Sequence, residues 1–266
     1  VFETLDRAMY VVSRAPHGAA GDYRVVLSRK QETNWDNGWI LTGTGSSMGY
    51  EHSDWLNTVD AEAVYIGTPN NVPFITTAGS IGDTQHVAVN GSSFVTNDIF
   101  QTVDTGAVTP LAVGMAWGGF GTDNYISEII YFDDDNFTER SKIESYLAMK
   151  YGIDLVQDYV ASDGTTLIWE LAANTGYTND IFGIGRDDAS IDKRVSKSTN
   201  ADAIITMALD NDFTSSNTDP GRITAHANDM QFLVLSNDDG ATTTQTTELD
   251  LTNYSARIGR EWRISA

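Results

Sequence analysis

Short clusters of aspartate are the residues whose type and spacing could most directly do chemistry in this chain. Calcium takes about six to eight oxygen ligands from carboxylates, amides and backbone carbonyls, and Asp-rich turns supply such ligands. None of the clusters has the spacing of an EF-hand loop, and Asx turns would explain each of them without a metal. The candidate calcium ligands are Asp133, Asp134, Asp135, Asp187, Asp188, Asp210, Asp212, Asp238 and Asp239.

A tryptophan-containing segment in the first quarter of the chain could bind sugars. Sugar rings stack on indole rings, while their hydroxyl groups hydrogen-bond to Asp and Asn. Trp35, Asp36, Asn37 and Trp55 offer both kinds of contact and are the candidate ligand-binding residues. Against this, tryptophan is highly buried on average, and residues 39–41 read as the start of a core strand. A calcium-dependent carbohydrate-binding lectin module is therefore one alternative function.

Paired carboxylates raise glycoside hydrolysis as a second alternative. One carboxyl group must protonate the leaving oxygen, and the other must attack the sugar or activate water. Glu248 and Asp250 have the spacing with which such a catalytic strand begins, but Asn253 stands where a further glutamate would face the same side. A three-residue match has low specificity, so two solvated acids on a polar strand are the favoured interpretation. We predict that the chain is not an enzyme.

Composition narrows the class of protein further. The 266 residues include 37 acidic and 16 basic ones, a net charge of −21, which disfavours binding to a nucleic-acid phosphate backbone. The chain has no cysteine, which excludes disulfides and thiolate metal sites. No apolar run approaches the roughly 18 residues that cross a bilayer, so we expect no membrane insertion. The acidic surface and the calcium hypothesis together favour an extracellular or cell-surface location.

Short apolar runs separated by Gly, Asn, Asp and Thr predict an all-β sandwich class. The predicted strands are Ala8 to Val12, Tyr23 to Leu27, Ala63 to Gly67, His86 to Val89, Leu111 to Ala116, Tyr125 to Phe132, Thr166 to Leu171, Ala203 to Leu209, Gln231 to Leu235 and Glu261 to Ile264. Only one long helix is predicted, from Phe137 to Tyr151.

The segment from residue 125 to residue 152 positions a strand directly before that helix. The strand is apolar on both faces, which predicts a place inside a sheet instead of at its rim. Asn136 is the expected N-cap residue, Glu139 can reach back to it, and Gly152 is the expected left-handed C′ residue. The apolar helical face, which we expect to pack on a sheet, contains Ile143, Tyr146, Leu147 and Tyr151, whereas Arg140 and Glu144 pair on another face.

This strand and helix resemble the C-terminal end of the bacterial laminin-G-like, concanavalin A-like jelly-roll domains. The matching positions are Ile126, Glu128, Ile129, Ile130, Tyr131, Thr138, Glu139, Arg140, Ile143, Glu144, Tyr146, Leu147, Lys150, Tyr151 and Gly152. Residues 86–91 are similar to an earlier hairpin of the family, and residues 111–114 are similar to one of its strands. The resemblance implies a jelly-roll sandwich with one C-terminal helix over residues 1–155, with N-terminal strands missing.

Residues 156–266 are predicted to form a second, β-sandwich-like domain. They resemble a module of unknown function that follows laminin-G-like domains in large bacterial surface and adhesin proteins. The resemblance is carried by residues 183–188, 196–198 and 258–262. The module usually continues past Arg263 into further strands, so we expect C-terminal strands to be missing as well.

Together, these features predict a non-enzymatic extracellular protein segment. We expect it to act in adhesion or as a structural unit of a cell-surface fibre. The expected partners are a cell-surface glycan or protein, or neighbouring copies of the same chain, because exposed sheet edges can pair with further strands.

Overall fold

The computed structural model describes residues 6–14, 23–30, 38–53, 61–98, 110–115, 125–250 and 252–266. The chain divides into two compact units, Val1–Glu144 (unit 1) and Ser145–Ala266 (unit 2). The division falls within the long helix. The expected domain bounds, residues 1–155 and 156–266, stay a prediction. No helix in the described ranges has both the length and the apolar character needed to cross a membrane.

The described residues of unit 1 form a β-sandwich of two antiparallel five-stranded sheets. Its strands are Arg7–Arg14 (β1), Tyr23–Lys30 (β2), Gly38–Thr44 (β3), Ser47–Ser53 (β4), Ala61–Ile66 (β5), Phe74–Ile81 (β6), Thr84–Val89 (β7), Val95–Asp98 (β8), Ala112–Val113 (β9) and Tyr125–Phe132 (β10). One sheet has the order β10-β1-β6-β7-β8 and the other the order β5-β4-β3-β2-β9. The prediction of an all-β sandwich is confirmed.

The core of unit 1 lies between these sheets. Alternate side chains of a strand face the same way, so each sheet contributes every second residue to the interface. Met9 and Val11 of β1 meet Leu41 of β3 in one buried cluster. Trp39 is 2% exposed and stacks on Tyr131, with ring centroids 6.0 Å apart. The core-strand prediction for residues 39–41 is therefore confirmed.

The other face of the β1 sheet is covered by the start of the predicted helix. A 3₁₀ turn, Phe137–Glu139, leads into the α-helix Arg140–Tyr151 (α1). The Tyr10 hydroxyl donates to the Asn136 carbonyl (2.9 Å), and the Thr77 hydroxyl donates to Glu144 Oε1 (2.5 Å). This arrangement explains why β1 is buried along almost its whole length.

Two details of this segment differ from the sequence predictions. The strand β10 has the predicted bounds but, among the described residues, lies at the edge of its sheet and pairs with β1 alone. Asn136 makes no side-chain capping hydrogen bond, because the chain enters the helix through the 3₁₀ turn. The predicted pairing of Arg140 with Glu144 is confirmed (2.9 Å), and Glu144 is completely buried. Gly152 has a φ of 69°, which confirms the left-handed helix end.

Unit 2 is built from shorter strands. They are Tyr159–Val160 (β11), Leu167–Trp169 (β12), Asn179–Asp187 (β13), Ile191–Lys193 (β14), Val195–Ser196 (β15), Met207–Ala208 (β16), Gln231–Asn237 (β17), Thr244–Gln245 (β18), Arg257–Ile258 (β19) and Trp262–Ser265 (β20). One four-stranded sheet has the order β14-β13-β17-β20, and the other strands form two-stranded pairs.

A buried polar network joins the strands of this four-stranded sheet to the loops beside it. Asp180 accepts hydrogen bonds from Asn237 Nδ2 (2.7 Å), Asn200 Nδ2 (2.7 Å) and Arg260 Nη1 (3.2 Å). The Arg260 side chain is only 4% exposed and also pairs with Asp202 at 2.5 Å. Because each buried charge has partners, the network avoids the penalty of an isolated buried ion.

Each predicted strand overlaps an observed one, but several observed strands were not predicted, among them the longer strands β4, β6 and β13. These strands carry Gly, Ser or Thr at several positions, which favour turns in a local analysis. In the structure each is hydrogen-bonded to a strand on both sides, and this pairing outweighs local propensity.

Candidate functional site

The β13–β14 hairpin of unit 2 places charged residues opposite one another. Arg186 pairs in register with Asp192, and Asp187 pairs with Ile191. The turn is closed by the Ser190 N–H, which donates to the Asp187 carbonyl (2.9 Å). Cross-strand partners project from the same face of a sheet, so Arg186 and Asp192 share one face.

Two ion pairs extend this face. Arg186 Nε donates to Asp188 Oδ1 at 2.5 Å, and Arg194 Nη2 donates to Asp192 Oδ2 at 2.5 Å. The four side chains are partly exposed, between 23% for Arg194 and 55% for Asp188. They therefore present charge and hydrogen-bonding capacity to solvent.

A cavity of about 470 Å³ lies against this face and is called the hairpin cleft; it is lined by residues 186–192, Arg194 and Ala225. Its volume falls within the roughly 300–1,000 Å³ typical of ligand pockets. Arg186 Nη1 donates to the His226 carbonyl (3.1 Å), and Arg194 Nη1 donates to the Arg222 carbonyl (2.8 Å). Both arginines thus tie the segment that contains Ala225 to the hairpin.

Hydrogen bonds keep the hairpin cleft charged. The ion pair with Arg194 holds the pKa of Asp192 below its usual value. Burial opposes the ionisation of Asp187, but hydrogen bonds from the backbone and hydroxyl of Ser162 outweigh it and lower the pKa of Asp187. Hydrogen bonds to Asp188 and Asp192 raise the pKa values of Arg186 and Arg194.

These shifts favour binding over proton transfer. A general acid or base works best when its pKa lies near the working pH. In the hairpin cleft the pKa values of Asp187 and Asp192 move away from neutrality, and so do those of Arg186 and Arg194. These four side chains therefore stay charged near neutral pH.

The structure brings two predicted calcium ligands, Asp187 and Asp188, into the hairpin cleft. The other acidic clusters lie in separate turns. Asp210 binds the completely buried guanidinium of Arg222 (2.6 Å), and Asp212 accepts hydrogen bonds from the Thr214 and Ser215 N–H groups.

The remaining acidic clusters also contact their own chain. Asp238 accepts hydrogen bonds from the Gly240 and Glu261 N–H groups, both at 2.9 Å. Asp239 lies 3.7 Å from Arg260 and is 72% exposed. In the turn after β10, which contains Asp133 and Asp135, Asp134 accepts a hydrogen bond from the Asn136 N–H (3.3 Å). Within the described ranges, no three Asp, Glu or His side chains are grouped so that they could hold a metal ion.

The candidate sugar-binding and catalytic residues lie outside the hairpin cleft or outside the described residues. Trp35, Asp36, Asn37 and Trp55 lie outside the described residues. Glu248 is 77% exposed and pairs with Arg257 (2.8 Å). Asp250 accepts hydrogen bonds from the Thr252 N–H and from Asn253 Nδ2 in a turn.

The sequence analysis missed Arg186, Asp192 and Arg194. A signal for them exists, because residues 186–194 place Arg-x-Asp before a short turn and Asp-x-Arg after it. This mirrored order brings the charged side chains together only when the two strands pair with Arg186 opposite Asp192. A strand prediction over residues 179–187 would have been needed to see it.

A second cavity, of about 560 Å³, lies elsewhere in unit 2. Its lining is mainly apolar and includes Leu167, Ile184, Leu233 and Ala266. It offers fewer charged groups than the hairpin cleft and is less suited to orienting a polar ligand.

Comparison with known proteins gives one family match. Residues 139–266 match a family model described as "Domain of unknown function (DUF8202)". The matched region contains the hairpin cleft and the network around Arg260. No curated protein matches the chain.

Solved structures similar to the chain include β-rich binding domains. The receptor-binding domain of botulinum neurotoxin type G is 12% identical with a TM-score of 0.42, and the match covers 59% of this chain and 40% of that domain. The CBM40 of the Ruminococcus gnavus IT-sialidase, bound to α2,3-sialyllactose, is 14% identical with a TM-score of 0.40; the match covers 49% of this chain and 77% of that one. Similarity at this level does not transfer a function.

Proposed function

We propose that the chain is a non-enzymatic, extracellular segment of a surface protein that acts in adhesion or as a structural unit of a cell-surface fibre. The hairpin cleft is the observation that carries this proposal. Its ion-paired residues provide fixed donors and acceptors, while the pKa shifts of Asp187 and Asp192 oppose proton transfer. Such a site can hold a partner without transforming it.

The resemblance of residues 125–152 to the laminin-G-like domains of bacterial surface proteins supports the same function. The strand and helix that carry it have the predicted order, and the left-handed Gly152 follows the last helical residue, Tyr151. The partners we propose are a cell-surface glycan or protein, or a second copy of this chain.

Calcium remains our proposal for the acidic turns. Since no three acidic or histidine side chains are grouped for a metal within the described ranges, a site there would combine at most two carboxylates with backbone carbonyls and water. Few charged ligands give weak binding, of the order of 0.1–1 mM, which suits the calcium concentration outside cells.

Binding and hydrolysis assays test the proposal together. The full chain is applied to a glycan array and to intact bacterial and host cells, and its self-association is followed by light scattering at several concentrations. Incubation with a panel of β-glucans and aryl glycosides, with Glu248→Gln as the matched variant, tests for hydrolysis. We expect binding in at least one format and no hydrolysis.

Two results would count against the proposal. Hydrolysis that Glu248→Gln abolishes would show a glycoside hydrolase. The absence of binding to glycans, to cells and to further copies of the chain would remove the adhesive and structural roles.

A further inference from the structure

The hairpin cleft still has hydrogen-bonding groups to offer after its internal contacts are made. Arg186 uses Nε and Nη1, Asp188 uses Oδ1, and Asp192 uses Oδ2. Arg186 Nη2, Asp188 Oδ2 and Asp192 Oδ1 make no hydrogen bond to another described residue. The side chains of Arg186, Asp188 and Asp192 line the cleft and are 34%, 55% and 35% exposed, so they can also contact a ligand.

We propose that the hairpin cleft binds a neutral sugar through adjacent hydroxyl groups, an inference that rests on the proposed binding function and names its ligand class. A hydroxyl group both donates and accepts, so neighbouring hydroxyls can accept from Arg186 and donate to Asp188 and Asp192. Hydrogen bonds to charged groups are stronger than neutral ones. The ion pairs fix the orientation of these groups before a ligand arrives.

Three apolar residues also line the cleft and could contact the C–H groups of a sugar. Ala189, Ile191 and Ala225 lie among the charged residues. Sugar rings carry C–H groups that are favourably removed from water, and small apolar side chains can cover them.

Electrostatics favours a neutral sugar over an anionic one. The hairpin cleft contains two arginines and three aspartates, Asp187, Asp188 and Asp192, so its formal charge is negative. Both arginines are already neutralised by ion pairs, and the whole chain carries −21. An anionic sugar would meet repulsion without a free cation to compensate it.

A matched pair of ligands tests both parts of the proposal. Methyl glycosides of glucose, galactose and mannose are titrated into the ¹⁵N-labelled full chain, followed by methyl glucuronide, which differs from the glucoside by a carboxylate. We expect at least one neutral glycoside to shift the amide signals of Ile191 and Ala225. We expect the glucuronide to bind more weakly than the glucoside.

Variants locate the site. Arg186→Gln and Asp188→Ala should each weaken binding of the neutral glycoside about tenfold or more, since each removes a hydrogen bond to a charged group. The control is Arg257→Gln, because Arg257 forms a similar exposed ion pair with Glu248 outside the cleft. If Arg186→Gln does not fold, the Asp188→Ala variant alone tests the site. That variant should fold, because the backbone N–H at position 188 still donates to Asp229.

The outcomes separate this inference from the proposed function. Sugar binding that the cleft variants leave unchanged would overturn the inference and leave the binding function in place. Binding to cells without binding to any neutral glycoside, or tighter binding of the glucuronide, would do the same. Only a chain that binds no cell, glycan or further copy would lose both.

Discussion

In unit 1, two five-stranded sheets face each other across an apolar core, whereas unit 2 connects short strands through buried charges and turn aspartates. Leu41 and Trp39 illustrate the first arrangement, and Asp180 with Arg260 illustrates the second. Burial of apolar area stabilises the folded state roughly in proportion to the area buried. A buried polar network stabilises the folded state only when every polar group has its partner. The two units should therefore respond differently to substitution and to pH.

The largest effect is expected from Trp39→Ala in unit 1. Removing a buried tryptophan loses its transfer free energy and leaves a cavity, at a cost of about 3–5 kcal/mol. Hydrogen exchange of the full chain, read on peptides of unit 1, measures the loss. Ile66→Ala is the control, because Ile66 is 77% exposed and its truncation should change stability by less than about 0.5 kcal/mol. A similar loss in both variants would contradict the proposed core.

Arg260→Gln should cost unit 2 about 2–4 kcal/mol, because it removes one partner from a buried ion pair. The cost stays below that of Trp39→Ala, since Asp180 keeps donors from Asn237 and Asn200. Hydrogen exchange on peptides of unit 2 gives the value, with the exposed Arg263→Gln as control. Adding Asp180→Asn should cost less than a second independent loss, because the two residues share one interaction. Strict additivity would argue against the network.

The stability of unit 2 should depend on pH through the side chain of Asp154. Burial raises the pKa of Asp154 to about 6, although Asn200 and the Ile181 and Asp180 N–H groups donate to it. The folded chain therefore holds this proton more tightly than the unfolded chain does. The resulting stability is complete below about pH 4 and is lost as the pH rises through about 6.

Between pH 4 and pH 7 the wild type should lose about 2 kcal/mol more unfolding free energy than Asp154→Asn, measured by urea denaturation. Asp163→Asn is the control of opposite sign. Hydrogen bonds from the N–H groups of Thr166 and Thr165 lower the pKa of Asp163, so its contribution is present above about pH 4 and is lost in acid. Parallel pH profiles for wild type and Asp154→Asn would contradict the raised pKa.

Calcium should have the smallest effect, and mainly in unit 2, where most of the acidic turns lie. A site with a dissociation constant of about 1 mM would gain about 1.4 kcal/mol in 10 mM calcium by mass action. Thermal melts in calcium and in chelator measure the gain, with magnesium at the same ionic strength as control. Coincident melts in calcium and chelator would remove the calcium proposal.

The sequence by itself determined the all-β class, the strand at residues 125–132, the helix after it and the left-handed end at Gly152. These features depend on neighbours within a few residues, where hydrophobic periodicity and the φ preference of glycine act. The position of each acidic cluster in a turn could also be anticipated, because Asx turns are local.

Only the tertiary structure decided that β10 lies at a sheet edge, that Glu144 is buried and that Arg186 faces Asp192. Each depends on which strands pair and in which register, and that is set by contacts between residues distant in the chain. Arg260 and Asp180, for example, are 80 positions apart. The hairpin cleft therefore depends on strand pairing, because its charged residues form one surface only when β13 and β14 lie side by side.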